Sequence, residues 1–439
     1  MTLGGGTFTD YKKVFPGAYV NTITLGQSIS LYGERGFAAC PMALSWGSSI
    51  KNIVVTAEEF KERSMELFGY PYAAPELRYI RELLKGAKTA IIPRLDRGGT
   101  KAENTYFTAL YEGERGNELN TVIQPNIMST ETEIFYDVLT YFGTRLVFRQ
   151  NGIKTGEELA ANAYAVPKEG VTLDLTAGTP FEGGTNGTVT AENHQTALNA
   201  LDSSYFNVLV CGSSETDIKA LYIEHTDIKN DDQGIKFQTV VHRYAVDNKY
   251  IISVENNNTP ELCYWVGGKC AGVPIGMSLT NQLYDGELTV LFDDTGVKYD
   301  NTDYKRFIAE GRFVLYSDNE TPTILVDINS KVTVTDEENE WFKDNQTVRI
   351  SQQSAMDKAR IFNTLFLGKV PNDDAGRLSL WNEFTKYNKD FLQDTYRAIT
   401  EYRANDTNVF YIDKKKVGCD EHLTLVNAME QLFMVTVFI

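Results

Sequence analysis

The chain has 439 residues, a length that corresponds to about three domains. Its 42 Lys and Arg residues against 59 Asp and Glu residues give a formal net charge of −17 at pH 7. Phosphate neutralisation needs clustered basic residues, so this balance excludes a nucleic-acid binder and argues against docking on an anionic membrane surface. With 42% hydrophobic residues, the composition predicts a soluble, acidic, multi-domain globular protein.

The first predicted element lies in an N-terminal arm, residues 1–32. Residues 18–24 alternate β-forming and polar residues, which predicts a strand. The arm has no basic segment followed by an apolar one, so no signal peptide is predicted. No run in the chain reaches the roughly 18 apolar residues of a membrane-spanning helix.

Residues 33–97 predict a small α+β domain. Short apolar runs predict strands at 37–40, 50–55 and 88–92. Amphipathic runs predict helices at 57–68 and 75–84.

Residues 98–179 predict a β-sandwich. Apolar and polar residues alternate with a period of two in five runs, at 105–110, 119–124, 133–141, 144–149 and 171–175. Because each such strand buries one face and exposes the other to solvent, two packed sheets are the expected arrangement.

Residues 180–345 predict an α/β domain. The loop 181–187 opens it and is interpreted as a turn that joins two domains. Compact apolar runs predict strands at 206–211, 237–242 and 250–254. Helices are predicted at 216–225, 260–271 and 302–309. Such alternation predicts a mainly parallel sheet covered by helices.

Residues 346–439 predict a C-terminal α+β domain. Strands are predicted near Val332 and Thr347, at 409–413 and at the terminal segment 433–439. Helices are predicted at 354–367 and 378–402.

No known catalytic motif occurs in the sequence: there is no phosphate-binding loop, no nucleophile elbow and no H-E-x-x-H pattern. The histidines are not at ligand spacing from one another; they are His194, His225, His242 and His422. The acidic pairs at 231–232, 293–294 and 373–374 are interpreted as solvated turns. Ser213 and Ser214 follow a strand, and with no positioned base they are interpreted as helix N-caps. We therefore predict no catalytic residues, no cofactor and no metal.

The five cysteines are widely scattered, and no pair has a common zinc or redox spacing. They are interpreted as reduced, buried, structural thiols. The cysteines are Cys40, Cys211, Cys263, Cys270 and Cys419.

Four segments, in order, resemble the contractile tail sheath proteins of phages and phage-tail-like bacteriocins. The segment 15–20 (FPGAYV) is similar to the family's opening motif, with Phe15 in place of its usual basic residue. The segment 111–117 (YEGERGN) resembles the turn that enters the sandwich domain, and 181–187 (FEGGTNG) resembles the junction that opens the α/β domain. The segment 264–274 (YWVGGKCAGVP), with Ser278 and Thr280, resembles a late helix and its following loop.

The resemblance implies a structural protein and not an enzyme. It implies an α/β domain similar to subtilisin but without catalytic residues, and terminal arms that exchange strands with neighbouring subunits. The subunits would form six-membered discs stacked helically around an inner tail tube, with baseplate and tail terminator proteins as further partners. Contraction would drive the tube through a target cell envelope, without nucleic acid or membrane binding by the subunit. The particle would be a virion tail or a bacteriocin, assembled in the bacterial cytoplasm.

The resemblance also implies two sets of site residues. The inter-subunit arms would contain Tyr19, Val20, Ile23, Phe433, Val435, Val437 and Phe438. The inner-tube contact would lie on a helix at 374–391 that carries Arg377, Lys386 and Lys389. A solvated surface face is the alternative for that helix, and the helix at 354–367 is the fallback contact. The sandwich is expected on the outside of the cylinder.

Two other classes of protein remain open at this point. One is an α/β hydrolase-like enzyme with an accessory β-sandwich, which would form a discrete oligomer. The other is a surface adhesin or S-layer protein, which would need an export signal.

Overall fold

The computed structural model describes residues 33–318, 321–336 and 338–438. The predicted strand at 18–24, and with it Tyr19, Val20 and Ile23, lies outside the described residues. The helices are α1 (Ala57–Phe68), α2 (Arg78–Leu84), α3 (Ala191–Ala200), α4 (Thr216–Asp227), α5 (Leu262–Gly272), α6 (Asn301–Ala309), α7 (Asn345–Ile361) and α8 (Asp374–Lys386). Single-turn or longer π-helical segments continue α4, α7 and α8, at Ile228–Asp232, Phe362–Phe366 and Tyr387–Thr395.

The first ten strands are β1 (Phe37–Ala39), β2 (Ile53–Thr56), β3 (Thr89–Ile92), β4 (Lys101–Glu103), β5 (Phe107–Glu112), β6 (Leu119–Pro125), β7 (Tyr136–Phe142), β8 (Arg145–Ile153), β9 (Ala165–Pro167) and β10 (Thr176–Pro180). The later strands are β11 (Val208–Val210), β12 (Gln238–His242), β13 (Ile251–Val254), β14 (Arg312–Phe313), β15 (Leu315–Asp318), β16 (Thr321–Ile324), β17 (Ile399–Thr400), β18 (Thr407–Asp413), β19 (Lys416–Glu421) and β20 (Thr424–Leu425).

A seven-stranded sheet forms the centre of the molecule, in the order β14-β13-β12-β11-β1-β3-β2. Every neighbouring pair is parallel except β2 and β3, which confirms the predicted mainly parallel sheet. The prediction that residues 33–97 form a domain of their own is wrong, because β1, β2 and β3 belong to this sheet. Strand β1 is buried and pairs on one side with β3 and on the other with β11, so its backbone needs both neighbours.

Helix α5 covers one face of the sheet and confirms the helix predicted at 260–271. It packs tightly on α2, where a Cβ atom on Gly268 would lie 2.0 Å from the carbonyl oxygen of Leu83. Only glycine allows so close an approach of two backbones. Gly268 is therefore explained by the packing of α5 on α2. Gly267, whose Cβ atom would lie 2.3 Å from the Val210 side chain, is explained by the packing of α5 on the central sheet.

The sandwich has the two sheets β10-β6-β7-β8 and β4-β5-β9, with a shared apolar core. The runs predicted at 105–110, 119–124, 133–141 and 144–149 correspond to β5, β6, β7 and β8. The prediction of a strand at 171–175 is wrong, because these residues pair with no neighbouring strand. The strands on either side of them are β9 and β10. Leu173 is buried in the core without strand pairing, which explains the misleading alternation.

The sandwich and the central sheet are joined by buried contacts. Trp46, in the loop after β1, is fully buried in the sandwich core, with its ring centroid 5.2 Å from that of Phe142. Arg94, just after β3, donates to the carbonyl oxygens of Gly47 at 3.0 Å and of Glu112 at 2.7 Å. The segment by which the chain enters the sandwich lies beside the loop 181–187, by which it leaves, because Thr100 pairs with Thr185 and Glu103 with Glu182 in isolated bridges. This pairing supports the interpretation of the loop as a junction.

The C-terminal region departs most from the prediction. Thr347 lies in α7 and not in a strand, because Asp344 caps this helix by accepting from the backbone N–H of Gln346 at 2.7 Å. Val332 lies outside any strand. The helix predicted at 354–367 thus begins at Asn345. The helix predicted at 378–402 corresponds to α8 with its π-helical continuation, but it begins at Asp374 and ends at Thr395, and the prediction is wrong beyond that point because β17 lies at Ile399–Thr400. The strand predicted at 409–413 is part of β18.

Residues 433–438 of the predicted terminal strand form no strand in the single subunit. Residues 426–438 have no ladder partner in the described chain. A strand needs a partner for its backbone groups, and none is supplied here. No helix among the described residues has the length and apolar character needed to cross a membrane.

Candidate functional site

The histidines lie at separate places in the fold. His194 Nδ1 lies 3.0 Å from the Tyr222 hydroxyl, and His242 Nε2 lies 3.0 Å from the Asn257 carbonyl oxygen. Burial lowers the pKa of both imidazoles, so each is a neutral structural group at neutral pH. Within the described ranges, no group of three His, Cys, Asp or Glu residues could hold a metal ion.

In an open parallel sheet, ligands bind where the strand order reverses, which here is between β1 and β11. The hydroxyl group of the buried Tyr264 of α5 lies against Gly212, just after β11, since a Cβ atom on Gly212 would lie 2.0 Å from its oxygen. Ser213 Oγ accepts from the backbone N–H of Glu215 at 3.1 Å. The N-cap of α4 is Glu215, so the prediction that Ser213 and Ser214 cap this helix is wrong.

Four of the five cysteines are buried, as predicted, and burial raises the pKa of Cys40, Cys211, Cys263 and Cys270. Cys419 on β19 is exposed, so the prediction of a buried thiol is wrong at this position. Of the paired acids, Asp293 accepts from the backbone of the turn that follows it, and Asp373 caps α8.

The C-terminal tail, residues 426–438, combines a segment that is bound to the subunit with an exposed apolar segment. Residues 426–430, the tail base, are bound to the subunit. The Asn427 amide donates to Asp344 Oδ2 at 2.6 Å, and the Ala428 backbone N–H donates to Gln346 Oε1 at 3.0 Å. Glu430 Oε1 accepts from the hydroxyl of Thr280 at 2.6 Å.

Residues 432–438, the free tail, are uncovered. Phe433, Val435 and Phe438 are 90%, 91% and 92% exposed, and the other apolar residues of the segment are also exposed. Burying such side chains is worth about 1.5–3 kcal/mol each, so an uncovered run of them is costly in water. This segment is therefore a candidate interface.

Helix α8 and its continuation carry the three predicted tube-contact residues in two different environments. Arg377 is only 16% exposed; its guanidinium pairs with Asp374, donates to Asn372 and stacks over Tyr411. Lys386 and Lys389 are exposed and have no ion pair within the described chain. Arg377 thus stabilises its own subunit, while the two lysines remain available to a partner.

The fallback segment, residues 354–367, is the second half of α7 and its continuation. The first half of α7 is buried: Gln352 donates to the Phe237 carbonyl oxygen at 2.9 Å, and Arg349 pairs with Asp327 at 2.7 Å. Within the fallback segment, Lys358 pairs with Glu421. Lys386 and Lys389 have no such ion pair within the described chain, so they offer an external partner charged groups that Lys358 does not.

An apolar groove of about 630 Å³ lies at the far end of α7. Phe362, Phe366, Leu380 and Val417 are among the residues that line it, and Lys369, Lys414 and Lys415 are the lysines in its lining. The hairpin of β18 and β19 contributes to the groove. This hairpin is a two-stranded sheet within the described residues, so its outer edges have no strand partner there.

The sequence analysis named residues of the free tail and the two lysines, and their roles remain predictions. It did not identify the groove or the tail base. The groove combines the end of α7, the start of α8 and the turn of a hairpin, which no single motif identifies. The tail base depends on Asp344, which is far from it in sequence. In the sequence, the signal for the tail base was the position of Asn427 and Glu430 just before the apolar residues 432–438.

Three family models match consecutive parts of the chain. They are the phage tail sheath protein beta-sandwich domain over residues 97–186, the phage tail sheath protein central domain over 187–330 and the phage tail sheath C-terminal domain over 337–439.

Relatives match over almost their whole length. The phage-like element PBSX protein XkdK of Bacillus subtilis (strain 168) is 30% identical over 98% of this chain and 99% of that protein. The crystal structure of the sheath tail protein from Desulfitobacterium hafniense has a TM-score of 0.79 at 30% identity, over 94% of this chain and 98% of that chain. The crystal structure of the sheath tail protein from Listeria innocua has a TM-score of 0.78 at 26% identity, over 92% of this chain and 95% of that chain. The chain belongs to the phage tail sheath protein family.

Proposed function

We propose that the subunits polymerise into a helical cylinder around an inner tube, and that the cylinder contracts to drive the tube through a cell envelope. The observation that supports this most directly is the free tail, an apolar segment that its own subunit leaves uncovered. Head-to-tail contacts of one surface with a different surface generate open helical assemblies. The free tail and the apolar groove are two such surfaces.

The tail base and the apolar groove lie at opposite ends of α7. The tail base binds Gln346 and Asp344 at the N-terminal end of α7, while Phe366 of the groove follows its C-terminal end. About 20 helical residues at about 1.5 Å each separate these ends by about 30 Å. Fully extended, the eight residues from Glu430 to Phe438 span about 28 Å, so at most the tip of the free tail could approach the groove of its own subunit. A free tail that fills the groove is therefore proposed to come from a neighbouring subunit.

We infer that the terminal arms link subunits by strand exchange. Tyr19, Val20 and Ile23 would supply one strand, and Phe433, Val435, Val437 and Phe438 another. The free edges of the β18–β19 hairpin offer backbone groups for such added strands. Electron microscopy of the purified chain tests the assembly: long tubes are expected, whereas a discrete oligomer would contradict it.

The inner-tube contact is assigned to the continuation of α8. Reversing Lys386 and Lys389 to Glu is expected to weaken co-assembly of sheath and tube by roughly tenfold at low salt, with a smaller effect at high salt. Co-sedimentation of the two proteins over a series of salt concentrations measures this. Arg377 is left unchanged, because it has a structural role in its own subunit.

The matched control reverses Lys305, which is exposed on α6, together with Lys61, which is exposed on α1. The change of net charge is the same, so a general charge effect would affect both variants equally. Unchanged co-assembly of the Lys386→Glu/Lys389→Glu variant at low salt would contradict the assignment of the tube contact to this helix.

The sandwich is proposed to lie on the outside of the cylinder. A deletion of residues 98–186 that joins Arg97 to Gly187 is expected to leave polymerisation largely intact, since these two residues are already in contact. Trp46 must be replaced by Ser in the same variant, because deletion would expose its indole. Electron microscopy shows the result, and a folded variant without polymer would mean that the sandwich belongs to the lattice.

We also propose, from the resemblance, that the discs are six-membered and that baseplate and tail terminator proteins bind the ends of the cylinder. The likeness of the central domain to subtilisin belongs to this proposal too. The particle would be a phage tail or a bacteriocin assembled in the bacterial cytoplasm. The hydrolase alternative has no support, because the matching family models and the similar structures are those of tail sheath proteins.

A further inference from the structure

The tail base and the free tail differ sharply in how they are held. The Val426 backbone N–H donates to the Ala398 carbonyl oxygen at 2.9 Å, and Asn427, Ala428 and Glu430 are bound as described above. Beyond Glu430, no described residue of the tail makes a hydrogen bond to the rest of the described chain. Gln431 is therefore the hinge at which a held segment becomes a free one.

We propose that the tail base is a proton-linked clasp, closed at acidic pH and opening as the pH rises, which sets the direction in which the free tail leaves the subunit. The clasp lies within a single subunit and does not depend on polymerisation. The tail base binds at Asp344, close to the carboxyl groups of Asp327 and Glu430.

Asp344 is the centre of the clasp. Its Oδ1 accepts from the Gln346 backbone and caps α7, and its Oδ2 accepts from the Asn427 side chain. Three charged groups face it: Asp327, Arg349 and Glu430 of the tail base. Arg349 is paired with Asp327 at 2.7 Å, and its positive charge offsets part of the effect of Asp327 on Asp344. Glu430 is held in place by the hydroxyls of Ser278 and Thr280, at 3.2 Å and 2.6 Å.

Closing the clasp favours protonation of Asp344. Burial, followed by the negative charges of Asp327 and Glu430, raises the pKa of this carboxyl group to about 6. Opening the clasp admits water to Asp344 and removes Glu430, and both changes lower the pKa of Asp344. The loss of the Asn427 donor acts in the opposite direction, but burial is the largest influence on this carboxyl group. The closed form therefore binds the proton more tightly and is favoured below about pH 6. That advantage is lost as the pH rises through about 6, and each unit of pKa difference is a factor of ten in the opening equilibrium.

Hydrogen exchange of the full chain, followed by mass spectrometry, tests this proposal on the backbone amides of Val426 and Ala428. After correction for the intrinsic exchange rate, exchange of these amides is expected to be about five- to tenfold faster at about pH 8 than at about pH 5. Equal corrected rates at the two pH values would overturn the clasp. The measurement uses dispersed subunits, so failure to polymerise would contradict the proposed assembly and leave this result unaffected.

Asp344→Asn is the decisive variant, because Asn keeps the helix cap but carries no charge at either pH. It is expected to remove the pH dependence and to hold the clasp at its low-pH protection. Asp227→Asn is the matched control: burial also raises the pKa of Asp227, but this residue lies on α4 and contacts Asn248. The control should keep the pH dependence of the parent.

A second variant distinguishes a change in the clasp from a general loss of folding. Glu430→Gln alters only the tail base and is expected to reduce the pH dependence without changing exchange in α7. Persistence of the full pH dependence in either Asp344→Asn or Glu430→Gln would show that another group is responsible and would overturn the proposal.

Discussion

Removing residues 433–439 is expected to abolish polymerisation while leaving the subunit folded. The removed side chains are exposed, and those as far as Phe438 make no hydrogen bond within the described chain, so their loss does not affect the core. The polymer loses the apolar strand that would pair with the next subunit. Sedimentation and electron microscopy measure polymerisation, and far-UV circular dichroism checks the fold. Val20→Pro, which removes a backbone donor from the other proposed arm, is expected to have the same effect.

The control removes exposed apolar side chains at a place outside the proposed arms. Ile127 and Met128, in the sandwich loop between β6 and β7, are 99% and 58% exposed, and replacing both with Ser should leave polymerisation unchanged. If the shortened chain or the Val20→Pro variant still builds contractile cylinders, the arms do not connect the subunits. If the control also fails to polymerise, loss of exposed apolar surface in general explains the defect and not loss of a strand.

Elements with local signals could be predicted from the sequence. Helix α1 runs over the predicted residues 57–68, because Thr56 and Glu59 form a capping box and Gly69 ends the helix in a left-handed conformation. The strands β11, β12 and β13 were recognisable because every residue in them is buried and each contains β-branched apolar residues.

Features that depend on distant residues could not be predicted. Ala38 of β1 pairs with Val208 of β11, and no local pattern indicates a partner so far away in sequence. Helix α7 was placed too late because its first half buries polar residues such as Asn345 and Gln352, which have partners in the central sheet region. Helix α3 was missed because its capping box uses Asn193 in place of the usual Glu or Gln.

The buried pair of Asp327 and Arg349 is expected to give the largest loss of stability from a single substitution. Both side chains are fully buried, and Asp327 also accepts from the Leu279 backbone and the Asn345 side chain. Asp327→Asn keeps the shape but removes the charge that compensates Arg349, whose Nε and Nη1 atoms have no partner in the described chain. Leaving a buried cation without its counter-ion costs about 3–5 kcal/mol of unfolding free energy.

A second guanidinium group lies near this pair. Burial and the nearby charge of Arg349 lower the pKa of Arg35 to about 10, so loss of the Asp327 charge would leave Arg349 beside a like charge without its counter-ion. Chemical denaturation followed by circular dichroism measures the effect. The double variant Asp327→Asn/Arg349→Met should recover much of the loss, because it removes the uncompensated charge as well. Glu66→Gln is the control: it breaks the exposed pair with Arg63 and should cost at most about 1 kcal/mol. A loss of similar size for Asp327→Asn would show that the buried pair does not stabilise the junction between α7 and the central sheet.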